Sequence, residues 1–286
     1  MIVEILLDGI AFGLMLSLLG VGVTLIFGLG EILNLAHGEF AVICAILAWV
    51  LMGAGAGTVL SIVLSLVIVG LIGVVIERFL LFPVYRAKGE TRILMGIFVT
   101  LGLSLAVHSY LVNTLPTAQF SVRLPVTNIV VGGVILRPSS LATAAISVSV
   151  LMLLAFFLKK TYVGKAIRTV AQNETVAQLC GVNPANFRTL IFAIGAVMAG
   201  LAGILYGLIA TVTPSVGFDL TIYALIVAIV GGVRNVYGTI LSGIILGIVH
   251  SVSSFFFGTY ISLVIFLVAV ILIILLRPEG ILGEKG

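Results

Sequence analysis

Charge is scarce in this sequence. Only 8% of its 286 residues are Asp, Glu, Lys or Arg, against roughly 25% in a soluble globular domain. With 62% hydrophobic residues and a mean hydropathy of +1.39, no stretch reads as a soluble domain. Cysteine is nearly absent: Cys44 falls in an apolar run and Cys180 in a polar one, which implies neither a disulfide framework nor a metal site. Segments of about ten residues with alternating polarity, the mark of a membrane β-barrel, are missing; the apolar runs are about twenty residues long and apolar throughout. MIVEILLDGIAFG lacks a basic leader and a small-residue cleavage site, so the first run is expected to remain as a helix. There is no GxxxxGK[ST] phosphate cradle, no HExxH zinc pair and no GxSxG elbow, so the chain is expected to hydrolyse nothing itself, ATP included.

What is present reads as an all-α, polytopic helical membrane protein with eight or nine transmembrane segments. Apolar runs lie at 5–29, 39–57, 58–77, 93–114, 139–158, 189–212, 218–233, 238–257 and 259–276. The net charge of +4 and pI near 9.2 would suggest nucleic acid in a soluble chain. Here they reflect Lys and Arg in cytoplasmic loops next to membrane lipid, and nucleic acid is discounted. Arg78 to Arg92, Lys159 to Arg188 and the tail from Arg277 are the basic segments expected inside. Four crossings between Arg188 and Arg277 satisfy parity. Three crossings before Arg78 place the N-terminus outside; a broken first or second helix would reverse it. The chain is expected to form one transmembrane domain, 1–286.

Two loops stand out. Residues 159–188, KKTYVGKAIRTVAQNETVAQLCGVNPANFR, form the long water-soluble run. Their centre reads as a short helix with Ile167, Val170, Ala171, Val163 and Ala166 on one face and Asn173 and Glu174 on the other, stopped by Gly181 and Asn183-Pro184. An apolar face with too little core around it asks for a protein partner. Residues 115–138 form the external loop. Within it, β-rich flanks around Gly132-Gly133 read either as a hairpin for docking something outside or as a plain connector.

The informative residues are polar ones in apolar surroundings. Asn34, His37 and Glu39 follow Glu31 between the first two runs, and Asp219 lies at the start of a short run after Thr213-Pro214. The first group is either an interfacial loop or a broken helix near the midplane lining a pathway. A second interruption in the other half favours the pathway reading, since paired broken segments point to a transporter's binding site. His108 and His250 read as packing residues. Gly195, Ala199, Gly203 and Gly207, spaced by four, form a small-residue face suited to packing or to sliding against another helix.

Six motifs in order, LGVGVTLIFGLGEILNLAHGEF (19–40), ERFLLFPVYRAKG (77–89), VGKAIRTVAQNETVAQLCGVN (163–183), AGLAGILYG (199–207), VGGVRNVYGTILSGIILG (230–247) and LRPEGILG (276–283), resemble the inner-membrane permease of branched-chain amino acid ABC importers, the LivH-type subunit. The resemblance implies a heterodimer with a LivM-type permease, two cytoplasmic ABC ATPase subunits and a periplasmic substrate-binding protein, with no cofactor. It implies ATP-driven alternating access for leucine, isoleucine or valine, and an ATPase-coupling segment at Gly164, Ala166, Arg168, Ala171, Asn173 and Gly181. Relatives of this layout take urea, short amides or aromatic acids. An ion-coupled secondary carrier and a membrane scaffold are the readings from other classes.

Overall fold

The computed structural model describes residues 2–122, 129–131, 134–277 and 279–282. Helices dominate, as uninterrupted apolar sequence requires where the backbone must satisfy its own hydrogen bonds. In order they are α1 (Ile2–Gly30), α2 (His37–Gly53), α3 (Thr58–Val75, prolonged by a π-helical turn Ile76–Leu81), α4 (Glu90–Thr114), α5 (Pro138–Lys160), α6 (Tyr162–Gln172), α7 (Glu174–Leu179), α8 (Pro184–Ile209), α9 (Gly217–Gly231) and α10 (Val236–Leu276). Gly258, at φ 81°, folds α10 into two arms. Among the described residues, seven helices are long and apolar enough to cross a membrane, and His37–Gly53 and Ile261–Leu276 are shorter apolar helices. Together these match the nine runs read from the sequence.

Charged contacts mark the two ends. At one, Glu31 pairs with Arg234 at 2.8 Å and with Arg92 at 3.7 Å. At the other, Asp8 pairs with Arg137 at 3.3 Å, and the Ile135 N–H donates to Glu4 at 2.8 Å. The basic segments gather at the first end, which is therefore cytoplasmic. α1 thus enters from outside, as the three-crossing count required. The outer loop contains β1 (Ile129–Val131) and β2 (Val134–Leu136), antiparallel with Val131 opposite Val134. Of the two readings left open for this loop, the pairing is that of a hairpin; Gly132-Gly133 lies outside the described residues.

α1 is the axis, packed on α5, α8, α9 and α10, while α2 packs on α3, α8 and α9. Two triplets repeat one plan: a long helix, an extended break, a short helix, then a long helix. In α1–α3 the break is 31–36, and in α8–α10 it is 210–216. The triplets run in opposite senses. Gly20 of α1 faces Val227 of α9 and Thr239 of α10, and Gly200 of α8 faces Cys44 of α2 and Leu66 of α3. α9 and the extended segment before it complete one crossing, so parity holds. Phe98 of α4 and Leu153 and Phe156 of α5 stay exposed, as lipid-facing residues do.

Candidate functional site

The two short helices meet at their N-termini. The chain leaves α1 at Gly30, and Glu31 takes φ 52°. It then runs extended back into the bundle. α4 satisfies the freed backbone: the Leu35 N–H donates to the Thr100 hydroxyl at 3.0 Å, and that hydroxyl lies 3.1 Å from the Leu33 carbonyl. Asn34 accepts from the Ala36 N–H at 3.0 Å, which turns the chain into α2. At the joint the Gly38 N–H donates to Thr221 Oγ1 at 2.8 Å, and the Ser104 hydroxyl donates to Glu39 Oε1 at 3.3 Å. The Glu39 carboxyl packs against Gly217, the first residue of α9. His37 fits against Gly22, about 12 Å back along α1 from Gly30 at 1.5 Å per residue. The joint therefore sits near the middle of a hydrocarbon layer of about 30 Å.

Asn34, His37 and Glu39 are thus brought together, at 1%, 0% and 1% exposure. They form an internal joint. Asn34 Nδ2, both His37 ring nitrogens and Glu39 Oε2 have no hydrogen-bond partner of normal geometry, although the ring is turned toward the Leu19 carbonyl. An apolar groove of about 450 Å³ between α2 and α4, lined by Ile43, Leu47, Val107 and Tyr110 among others, does not include them.

Asp219 is placed differently. It lies in the first turn of α9, exposed, with Thr211, Ser215 and Phe218 also exposed nearby. Tyr206 of α8 and Tyr223 of α9 are within its electrostatic reach. Neither tyrosine was singled out from the sequence, although Tyr223 stands four residues after Asp219 on one helix and that spacing is a signal for it; Tyr206 stands alone in the apolar run of α8. Tyr223 is braced edge-on by Phe266 at 5.4 Å, and His250 stacks on Phe12 at 5.0 Å. His250 therefore packs among rings, as expected.

At the cytoplasmic end the structure corrects the expected single helix. Asn173 ends α6 and caps α7, accepting from the Val176 N–H at 3.1 Å. Ile167 and Val170 are buried within the chain, at 2% and 4% exposure. The apolar face of α6 is therefore covered at those two positions, while Val163 and Ala171 on the same face stay exposed. Gly164 is buried where a Cβ would press on the Phe157 and Leu158 carbonyls. The most uncovered apolar side chains of the segment are Tyr162 at 88% and Leu179 at 84%, with Val176 half-exposed. Ala166 is partly buried, Arg168 and Asn173 are exposed, and Gly181 stops α7 at φ 78°.

Arg188 ties this segment to the bundle. It pairs with Glu174 at 2.8 Å and lies over the Tyr85 ring at 4.3 Å. Burial pushes the Tyr85 hydroxyl pKa up, so the ring stays neutral beneath the cation. A cavity of about 940 Å³ opens between α1, α5, α6 and the turn before α10, lined by Leu25, Leu158, Ile167, Arg168 and Arg234 among others. The small-residue face of α8 is packed internally: Gly195 on Ile26, Gly203 on Ala41 and Gly207 on Phe120. The packing role holds for it, and no free face remains there for sliding.

A family profile described as branched-chain amino acid transport system, permease component, matches residues 5–276. The high-affinity branched-chain amino acid transport system permease protein LivH of Escherichia coli K12 is 30% identical, over 97% of this chain and 94% of its own length. BraD of Pseudomonas aeruginosa, named as a permease of the same kind, is 27% identical over 98% and 95%. A chain of PsaBC from Streptococcus pneumoniae, solved in complex with a Fab, has the same fold at a TM-score of 0.55 and 12% identity, over 96% of this chain and 91% of that one.

Proposed function

Because this chain belongs to the permease family of branched-chain amino acid transport systems, we infer that it is the membrane-spanning subunit of an ABC importer carrying leucine, isoleucine and valine. It is a multi-pass inner-membrane protein and a transport subunit. The observation that carries the reading is the end-to-end match of residues 5–276 to that family, on a fold whose two inverted triplets meet at broken helices near mid-bilayer.

The rest of the machine is supplied by others: a LivM-type permease beside this one, two ATPase subunits below and a substrate-binding protein above. Residues 1–286 act as one permease domain. The α6–α7 segment is the part the ATPases grip, with Gly164 and Gly181 shaping it, Asn173 capping it and Ala166, Arg168 and Ala171 on or near its surface. The exposed Tyr162, Val176 and Leu179 supply the apolar contact. ATP closure moves that segment, Arg188 passes the movement to α8, and the joint at Asn34, His37 and Glu39 lets the short helices tilt. Both access states exist in the resting ensemble, and ATP and the loaded binding protein shift their populations.

The test of substrate class is ATP-dependent uptake of radiolabelled leucine and of urea into proteoliposomes holding the full complex. Leucine uptake that vanishes without the binding protein is expected. Urea uptake without leucine uptake would overturn the amino acid assignment.

A further inference from the structure

The Asp219 face is an exception on the membrane-depth surface of this subunit. Gly217, two residues earlier, packs on Gly38 and Glu39 at the joint, so Asp219 sits near mid-bilayer. Ser215, Asp219 and Ile222 follow the spacing of one helix face and are all uncovered. Among the described residues no cation or hydrogen-bond donor pairs with Asp219. A carboxylate turned into lipid at that depth costs several kcal/mol, which is why such residues face water or a partner. Lipid does not cover this face.

The surroundings narrow what does. Tyr223 stands four residues on from Asp219, one turn along α9. The Tyr223 ring packs edge-on against Phe266 at 5.4 Å, with Phe12 at 6.4 Å and His250 at 6.2 Å. A carboxylate one helical turn from a packed phenol ring suits a primary ammonium: its N–H groups donate to the carboxylate and the ring adds a cation–π attraction. A neutral amide gains neither full contribution, and an anion is repelled. Ile222, one turn further along α9, is exposed and apolar.

Resting on the importer reading, we propose that Asp219, with Tyr223 one turn along α9, receives the α-ammonium group of the passing substrate. The permease is then itself selective for amine-bearing solutes, in addition to whatever the binding protein selects. The aliphatic side chain of the solute lies toward Ile222.

The experiment uses the complete reconstituted complex. For Asp219→Asn the complex assembles, and leucine moved per ATP hydrolysed falls about ten-fold, equivalent to about 1.4 kcal/mol. Asp219→Glu recovers most of the loss. In a Cys180→Ser background, Asp219→Cys is labelled by a membrane-impermeant cationic thiosulfonate while the buried Cys44 is not. Unchanged leucine per ATP in Asp219→Asn overturns the proposal, as does absence of labelling in both the nucleotide-free and ATP-trapped states. Loss of assembly in Asp219→Asn also overturns it, because Asp219 would then pair with a cation of the adjoining permease. Wild-type complex that takes up no leucine at all instead overturns the importer reading.

Discussion

At Gly38 the two short helices approach more closely than a side chain permits. A Cβ there would overlap the Gly217 carbonyl oxygen and stand 2.6 Å from the Thr221 nitrogen, and both are backbone atoms that cannot swing aside. Overpacking of this kind costs about 1–3 kcal/mol, so Gly38→Ala should lower the melting temperature of the purified subunit. Gly28→Ala, where nothing lies within 4 Å, should not lower it; equal melting of the two variants would refute the tight joint. Glu31 poses a different question, because a non-glycine residue at φ 52° carries about 1–2 kcal/mol of left-handed strain. Its exposed ion pairs are worth about 0.2–1 kcal/mol each. Glu31→Ala loses the pairs and keeps the strain, whereas Glu31→Gly loses both. Glu31→Gly should therefore melt above Glu31→Ala, and the reverse order would contradict the backbone assignment. The sequence announced that Asn34, His37, Glu39 and Asp219 sit in the wrong solvent, but it could not separate them. A polar group at bilayer depth may be satisfied inside the subunit or at a water-filled face. Only the direction of α9 against α2 puts the first three inside and the last outside.

Among elements, α6 and α7 carry the clearest division of labour. Gly164 is enclosed and Leu179 is free, so the two should fail differently. Gly164→Val should lower the melting temperature of the isolated subunit. Leu179→Asp should leave that temperature unchanged and weaken binding of the ATPase subunits about ten-fold, as removal of an interface anchor does. A stable Gly164→Val subunit, or full ATPase affinity with Leu179→Asp, would contradict this division. Much of the element plan was legible. The nine apolar runs and the Gly181 stop follow from local chemistry, and the outer hairpin was one of the two readings that the loop allowed. The split at Asn173 was not read, although Asn173-Glu174 is itself a cap signature, because the same two residues also fit the polar face of one continuous helix. The small-residue face of α8 was legible as a contact, but spacing says nothing about which helix is touched. Ile26, Ala41 and Phe120 turned out to be its neighbours.

For the whole molecule, the inverted triplets explain why the pairing of two interruptions was a better guide than either alone. Each break is a weak signal in sequence. Together they place two helix N-termini against each other at mid-depth, with the α6–α7 segment on one side and an outer loop fixed to α1 on the other. The basic segments lie at the cytoplasmic end, and the mid-depth acids Glu39 and Asp219 have no cationic partner among the described residues. The most direct measurement is leucine flux in proteoliposomes made with this chain and its partner permease, with and without the ATPase subunits, at equal binding protein outside. Flux that appears only when the ATPases and ATP are present is the predicted result. Concentrative leucine uptake by the two permeases alone, driven by an ion gradient, would contradict it.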